Sequence, residues 1–193
     1  MTLDAFTAID WPEGFLGELA RGVVTEIAMP GINHCFIVGR IADMFIFHEH
    51  DHQGVIRYGS GGANCRIWLP GIHSCRRPDQ AIYLLPEQIG RRIWQRWIPQ
   101  IVVEVVNRQS EHRDYVEKRE EYHLFGVLEY WIFDPKCRKL LVLKRWGDLW
   151  HEKVFDDSGL YRTELLPNLE VSVGRILGPV PEEDDDEFDD VEI

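Results

Sequence analysis

The chain has 193 residues, 45% of them hydrophobic and 11% aromatic, which suits one domain with a sizeable core. This composition excludes a chain that is disordered throughout, and no apolar run reaches the length of a transmembrane helix. The net charge of −12 would argue against a polyanionic partner if it were evenly spread, but nine of the 33 acids lie in residues 182–193, which leaves 24 acids against 21 bases elsewhere.

The two ends of the chain differ from its middle. Acids in MTLDAFTAIDWPEGF stand where a secretion signal needs bases, so we expect a cytoplasmic protein without membrane association. We expect one domain over residues 1–178 and a disordered acidic tail over residues 179–193, because runs such as EEDDDEFDDVEI repel themselves. The tail could also fold back on a basic site as a polyanion mimic. The four cysteines form no CxxC pair, which predicts buried, reduced thiols.

The first third of the chain predicts a strand and a helix. A strand is predicted from Val23 to Met29, closed by Pro30 and Gly31, and a largely apolar helix is predicted from Ile32 to about His48. HEHDH, residues 48–52, could be a metal-binding cluster, but a solvated helix end is favoured because the run lies where the helix should stop. GSGGAN, residues 59–64, predicts a turn and no nucleotide site, since no helix with a phosphate-binding lysine follows it.

The rest of the chain predicts strands around one helix. The strands are expected at residues 63–69, 81–85, 101–106, 129–134, 139–146, 149–155 and 161–166. Ser110 is a suitable N-cap for DYVEKREEYHLF and Gly126 a suitable stop. Strand, helix and strand over residues 101–134 predict a parallel crossover, while WGDLW (146–150) and FDDSGLY (155–161) predict hairpin turns. The fold class is α/β, with a central mixed sheet, flanking helices and added carboxyl-terminal hairpins.

Glu104 interrupts the aliphatic run IVVEVV and needs a partner, because burying a lone carboxylate costs several kcal/mol. Asp79 precedes another apolar strand, and Lys118 lies on the predicted helix with Tyr122 one turn further along. Two carboxylates and a lysine would suit a site for a hard cation such as Mg²⁺. A buried Glu104–Lys118 ion pair, with Asp79 capping a turn, is the alternative.

The runs RPDQAIYLL (77–85) and IVVEVVNRQSEHRDYVEKREEYHLFGVLEYWIFDP (101–135) strongly resemble the Uma2 family, also known as DUF820, of restriction-endonuclease-like proteins. The order and spacing of Pro78-Asp79, Glu104-Val105 and Lys118 carry the resemblance, and GELARGVVTEIAMPGINH (17–34) extends it to about residues 15–177. The family belongs to the PD-(D/E)xK nuclease superfamily. The resemblance therefore implies a restriction-endonuclease-like fold and a Mg²⁺- or Mn²⁺-dependent endonuclease that hydrolyses phosphodiester bonds, most simply in DNA.

Carried over by position, the resemblance implies Asp79 and Glu104 as metal ligands, with the backbone carbonyl of Val105 as a third. The superfamily's Glu-x-Lys signature would put a lysine at position 106, where this chain has Val106. The resemblance nominates Lys118 instead, as the residue that positions water and balances charge on the phosphate. The valine also favours an alternative, a nucleic-acid-binding or regulatory module that keeps the fold without turnover.

Accessory roles follow for three further residues. Glu18 could reach the metal from an amino-terminal helix, His34 could contact phosphate or transfer a proton, and Tyr122 could steady Lys118. Each could instead be structural.

The nucleic-acid contacts are expected from arginines near these motifs. They are Arg76, Arg77, Arg108 and Arg113. GRRIWQRW, residues 90–97, could add phosphate contact and base stacking, or could turn its tryptophans inward. Because one such site makes one nick, a cut in both strands would favour a homodimer.

Overall fold

The computed structural model of the chain describes residues 1–11, 15–27, 30–62, 65–85 and 96–179. Its helices are α1 (Leu3–Thr7), α2 (Ile32–Asp51), α3 (Lys118–Phe125) and α4 (Val173–Leu177), with a π-helical turn (Arg113–Glu117) directly before α3. Its strands are β1 (Leu16–Ala20), β2 (Val23–Ile27), β3 (Tyr58–Gly61), β4 (Ile67–Leu69), β5 (Ser74–Arg76), β6 (Gln80–Tyr83), β7 (Ile101–Val105), β8 (Glu129–Asp134), β9 (Lys139–Trp146), β10 (Leu149–Phe155), β11 (Leu160–Arg162) and β12 (Glu170–Ser172). None of the described helices has both the length and the apolar character needed to cross a membrane.

A six-stranded mixed sheet forms the centre of the molecule, in the order β10-β9-β8-β7-β6-β3. Strand β7 pairs with β8 in parallel and with β6 in antiparallel fashion, and all of its residues are buried. The predicted crossover between β7 and β8 is therefore confirmed. Parallel neighbours need a long connection, and here that connection contains α3. Tyr122 of α3 packs on one face of the sheet.

The side chains of β7 alternate between two cores. Ile101, Val103 and Val105 face α2 and α4, where Ile41 and Trp131 complete an apolar cluster. Val102 faces the other way, towards the cluster that contains Tyr122 of α3. Glu104 shares this second face, since side chains two residues apart on a strand project to the same side.

A second, four-stranded sheet has the order β2-β1-β5-β4. Residues Leu19 and Cys75, on its two central strands, pack with Phe6 of α1 in a third apolar cluster. This sheet supplies Glu18 and Arg76, which approach α3. The two sheets therefore meet around the beginning of α3.

Several predictions of local structure need correction. Residues 16–20 form strand β1 rather than an amino-terminal helix. FDDSGLY contains a turn, in which Gly159 N–H donates to Asp156 O, but β11 pairs with β12 and not with β10. The WGDLW hairpin is confirmed by the pairing of β9 with β10. Cys65 and Cys75 are buried as expected, whereas Cys35 and Cys137 are exposed, and all four thiols are free.

The ends of the two long helical segments follow local side-chain chemistry. Helix α2 runs through Asp51, so HEHDH is a helix end, although His48 is buried and stacks on His52. Asn107, rather than Ser110, caps the later helix with its side chain, which accepts from Ser110 N–H at 2.8 Å. Gly126 ends α3 with the positive φ of 102° that glycine adopts readily. The acidic tail at residues 182–193 lies outside the described residues.

Candidate active site

Strands β6 and β7 place two carboxylates at one end of the central sheet. Gln80 lies opposite Val103 in this antiparallel pair, so the neighbouring residues Asp79 and Glu104 come opposite each other just beyond it. Opposed residues of antiparallel strands project from the same face, here the face that α3 covers. The two carboxylates that the sequence predicted to converge therefore do so.

Lys118, the first residue of α3, brings its ammonium to the same end of the sheet. Its Nζ lies 2.8 Å from Glu104 Oε1, 3.1 Å from Asp114 Oδ1 and 3.4 Å from Glu18 Oε1. The Tyr122 hydroxyl donates to Glu104 Oε1 at 2.8 Å. Glu104 thus has a buried cationic partner, which both interpretations of the sequence require.

Asp114, in the π-helical turn before α3, is a further carboxylate partner of Lys118 that was not predicted from the sequence. The Lys118 N–H donates to the carbonyl of Arg113, five residues earlier, so the helix is locally wide. Such turns often occur at functional sites. Asp114 lies in this turn, is buried, and directs Oδ1 at the lysine. Asp114 and Lys118 lie four residues apart on one predicted helix, and this spacing could have predicted their contact.

Glu18 reaches the cluster from strand β1, where it is fully buried. Its Oε2 lies 3.1 Å from Arg76 Nη1, and its Oε1 accepts from the Arg77 N–H at 2.8 Å. Burial would raise the pKa of Glu18, but the charges of Lys118, Arg76 and Arg113 and the Arg77 hydrogen bond outweigh it, so the pKa is lowered. Glu18 therefore stays ionised as an inner counter-charge.

Arg76 is not the exposed DNA contact that the sequence analysis expected. It is fully buried, and its Nε donates to Glu121 Oε2 at 2.7 Å while Nη2 donates to Glu117 Oε2 at 2.9 Å. With Glu18 this gives the guanidinium three carboxylate partners. Arg77 is also buried, with Nε donating to the carbonyl of Gly17 at 2.9 Å. Arg76 joins the four-stranded sheet to α3.

Asp79 is held by groups from two other elements. His34 Nε2, in the first turn of α2, lies 2.9 Å from Oδ1, and the Val105 N–H donates to Oδ2 at 2.7 Å. His34 Nδ1 is buried and has no partner among the described residues. The arrangement makes His34 a residue that orients Asp79, and its role in proton transfer stays a prediction.

The excess of acids in this cluster shifts the pKa values of Glu104 and Lys118. Burial raises the pKa of Glu104; Lys118 opposes the shift, but the charges of Asp114, Asp79 and Glu18 add to it. Burial would lower the pKa of Lys118, but Asp114, Glu104 and Glu18 raise it above its usual range. The raised pKa favours the ammonium form of Lys118, and an additional cation beside Glu104 would favour its carboxylate form.

The residues present fit a hydrated divalent cation. Among the described residues, no three His, Cys, Asp or Glu side chains are arranged to hold a metal ion by themselves. Mg²⁺ needs only one or two carboxylates, because waters and phosphate oxygens complete its shell. Asp79 and Glu104, with the Val105 carbonyl beside them, supply suitable oxygens in a region of surplus negative charge.

The remaining predicted arginine contacts differ in their surroundings. Arg108 is exposed, whereas Arg113 turns inward, with Nε 3.7 Å from Glu18 Oε2. A shallow groove on the outer side of the π-helical turn is lined by Arg108, Gln109, Glu111, His112, Tyr115 and Val116. Most of GRRIWQRW lies outside the described residues, but Trp97 is buried and packs against Tyr83, as the inward alternative expects.

Known proteins resemble this chain in sequence and in fold. The sequence model of the Uma2 family, described as "Putative restriction endonuclease", matches residues 4–174. The chain is also similar to a protein from Anabaena variabilis ATCC 29413 whose crystal structure is described as that of "a putative nuclease belonging to DUF820", with 16% identity and a TM-score of 0.73 over 92% of this chain and 97% of that one. No curated protein matches the chain. The resemblance seen in the sequence and the restriction-endonuclease-like fold are both confirmed.

Proposed function

Because the chain belongs to the Uma2 family, we propose that it is a metal-dependent endonuclease that hydrolyses phosphodiester bonds in DNA. One observation carries the proposal: Asp79 and Glu104 stand opposite each other at the end of β6 and β7, with the Lys118 ammonium 2.8 Å from Glu104. A pair of carboxylates beside a buried ammonium suits the binding of a divalent cation and the anionic phosphate that it carries.

In this proposal Asp79 and Glu104 hold Mg²⁺ or Mn²⁺, with the Val105 carbonyl as a third ligand. The bound ion would polarise the scissile phosphate and lower the pKa of a coordinated water. His34 orients Asp79, and the Tyr122 hydroxyl and Lys118 fix Glu104 Oε1. The neighbouring carboxylates raise the pKa of Lys118, and its ammonium would supply positive potential where negative charge grows on the phosphate.

A module that binds nucleic acid without cutting it is the second candidate. Its support is the environment of Lys118, whose ammonium already has three carboxylate partners, together with Val106 in place of the superfamily's strand lysine. In that case Lys118 would serve the fold, and the cluster would bind a cation weakly or not at all.

Cleavage of supercoiled plasmid with Mg²⁺ or Mn²⁺ tests the proposal. We expect nicking by the parent protein, none by Glu104→Gln, and parent activity in Glu26→Gln, a matched change of an exposed glutamate on β2. Calorimetric titration with Mn²⁺ separates the two candidates, since specific binding that disappears in Asp79→Asn supports the metal site. Absence of both nicking and Mn²⁺ binding, with DNA still bound, would favour the binding module, and cleavage confined to RNA would correct the substrate.

A further inference from the structure

Helix α2 is apolar on two opposite faces. On the inner face Ile37, Ile41 and Phe45 are buried in the cluster that covers the central sheet. On the outer face lie four large apolar side chains with 57–68% of their surface exposed, namely Ile32, Phe36, Ile46 and Phe47. At 3.6 residues per turn these four fall within a stripe about 100° wide, directly opposite the buried one.

This outer stripe has the character of an interface. Two apolar pairs form it, Ile32 with Phe36 and Ile46 with Phe47, and the exposed residues Gly39 and Asp43 lie between them. Large apolar side chains that cluster on one exposed helix face mark interaction sites. The phenylalanines alone expose roughly 250 Å² per copy, taking about 200 Å² for a whole Phe side chain. Complete burial of the four phenylalanines of two copies would remove about 500 Å², roughly a quarter to two fifths of the ~1,200–2,000 Å² of a stable interface, so neighbouring residues must supply the rest.

The spacing of the stripe is that of a coiled-coil seam. Alternating intervals of four and three residues separate Ile32, Phe36, Gly39, Asp43, Ile46 and His50. We propose that this stripe pairs with the same stripe of a second copy of the chain, with the two α2 helices antiparallel about a two-fold axis that passes between Gly39 and Asp43 on the outer face. A two-fold axis lets one patch serve both copies.

The antiparallel register matches side chains of compatible size and charge. Phe36 of each copy packs on Ile46 of the other, and Asp43 meets Gly39. A Cβ at Gly39 would have nothing within 4 Å, so the helices can approach closely there while the Asp43 carboxylate keeps contact with water. A parallel pair would set Asp43 against Asp43, which like-charge repulsion opposes.

Sedimentation equilibrium of the full chain tests the dimer, and its outcome is independent of whether the protein cuts DNA. We expect a dimer for the parent protein and a folded monomer for the double variant Phe36→Glu, Ile46→Glu. The matched control is Trp146→Glu, Leu149→Glu on the β9–β10 hairpin, where the parent side chains are 72% and 69% exposed, and it should stay dimeric. A parent monomer, or a dimer that survives the α2 substitutions, would overturn the proposal.

Two further measurements test the close approach and the direction of the helices. Gly39→Leu should fold normally, because its side chain points into open space in one copy, yet weaken dimerisation at least tenfold. A spin label on Asp51→Cys, with the exposed Cys35 and Cys137 changed to serine, should give a label separation of roughly 30 Å for antiparallel helices, from 1.5 Å per residue. A separation below about 15 Å would mean parallel helices and would refute the register.

Discussion

Lys118 is the single residue on which most of the buried charge depends. Its ammonium is shared by Glu18, Glu104 and Asp114, all of them buried. Lys118→Met would leave these carboxylates without their common partner, so we expect the free energy of unfolding to fall by about 3–5 kcal/mol. Urea denaturation measures this, and Lys136→Met, at an exposed site, should stay within about 0.5 kcal/mol of the parent.

A second substitution should recover part of the stability that Lys118→Met loses. Adding Asp114→Asn to Lys118→Met removes one of the unpaired charges, so the double variant should be more stable than Lys118→Met alone. Equal or lower stability would mean that Asp114 is not electrostatically coupled to the lysine. Cleavage by Lys118→Met at the parent rate would separately contradict the catalytic role of the ammonium.

Asp134, at the end of β8, gives a pH-dependent contribution outside the active site. Burial would raise the pKa of Asp134, but hydrogen bonds from the Cys137 N–H at 2.9 Å and the Tyr115 hydroxyl at 2.8 Å outweigh it, and the pKa is lowered. A carboxyl group whose pKa is lower in the folded state stabilises the protein above its unfolded-state pKa, near 4, and loses this effect as the pH falls through the folded value.

We therefore expect Asp134→Asn to cost about 2 kcal/mol at pH 7 and progressively less below about pH 4. Urea midpoints of the parent and the variant across this range measure the difference. A difference that stays constant or grows with acidity would show that the Asp134 pKa is not lowered.

Among the elements, the β11–β12 pair packs on the main core through Tyr161 and Val171 and is also linked to the central sheet by hydrogen bonds to one carboxylate. Glu129 begins β8 and is buried, and its carboxylate accepts from Tyr161 Oη at 2.8 Å, Thr163 Oγ1 at 2.9 Å and Trp131 Nε1 at 2.9 Å. Glu129→Ala would leave these donors unsatisfied. We expect a loss of about 3 kcal/mol and faster amide exchange in β11 and β12 before the rest of the sheet.

The exposed neighbour Glu164 provides the control for this change. Its side chain is largely in solvent, so Glu164→Ala should leave amide exchange in β11 and β12 close to that of the parent. Uniform acceleration over the whole central sheet in Glu129→Ala would indicate that the carboxylate stabilises the sheet rather than this strand pair.

The elements that could be predicted from sequence are those whose signals are local. Residues 101–134 carry an aliphatic run, a capped helix and a second apolar run, and they form β7, the helical segment and β8. Strand β1 could not be predicted, because Glu18 becomes suitable for burial only beside Arg76, 58 residues away. Strand β5 could not be predicted either, because it contains Arg76, whose carboxylate partners also lie far away in the sequence. Asp79, Glu104 and Lys118 were predicted from an acid in an aliphatic run and its neighbours, and then from the family's spacing, whereas the role of Glu18 and Arg76 depends on contacts between distant segments.

At the scale of the whole molecule, the net charge of −12 means that the proposed DNA binding would depend on a few exposed bases. Arg108 borders the groove beside the π-helical turn, close in sequence to the Lys118 helix. We expect Arg108→Ala to weaken binding of a DNA duplex several-fold at low salt and to reduce the salt dependence of binding by about one ion, as loss of one phosphate contact does. Fluorescence anisotropy at several salt concentrations measures both.

Lys153→Ala, an exposed change on β10, is the control for Arg108→Ala and should bind like the parent protein. If the affinity and the salt dependence of Arg108→Ala equal those of the parent, the groove is not part of the DNA-binding surface. Likewise, if a chain that ends at residue 181 binds DNA with the parent affinity, the acidic tail does not act as a polyanion mimic.

The buried arginine at position 76 also has a consequence for the time course of folding. Its partners Glu18 and Glu121 lie 58 and 45 residues away in the chain, so three distant segments must meet before any of these charges can leave water without penalty. Closing such long loops is slow, and nothing compensates a lone charge in a half-formed cluster. We expect the central sheet to assemble first and the candidate site around Arg76 and Lys118 to close last, so that a newly made chain has the folded sheet before it has the complete site.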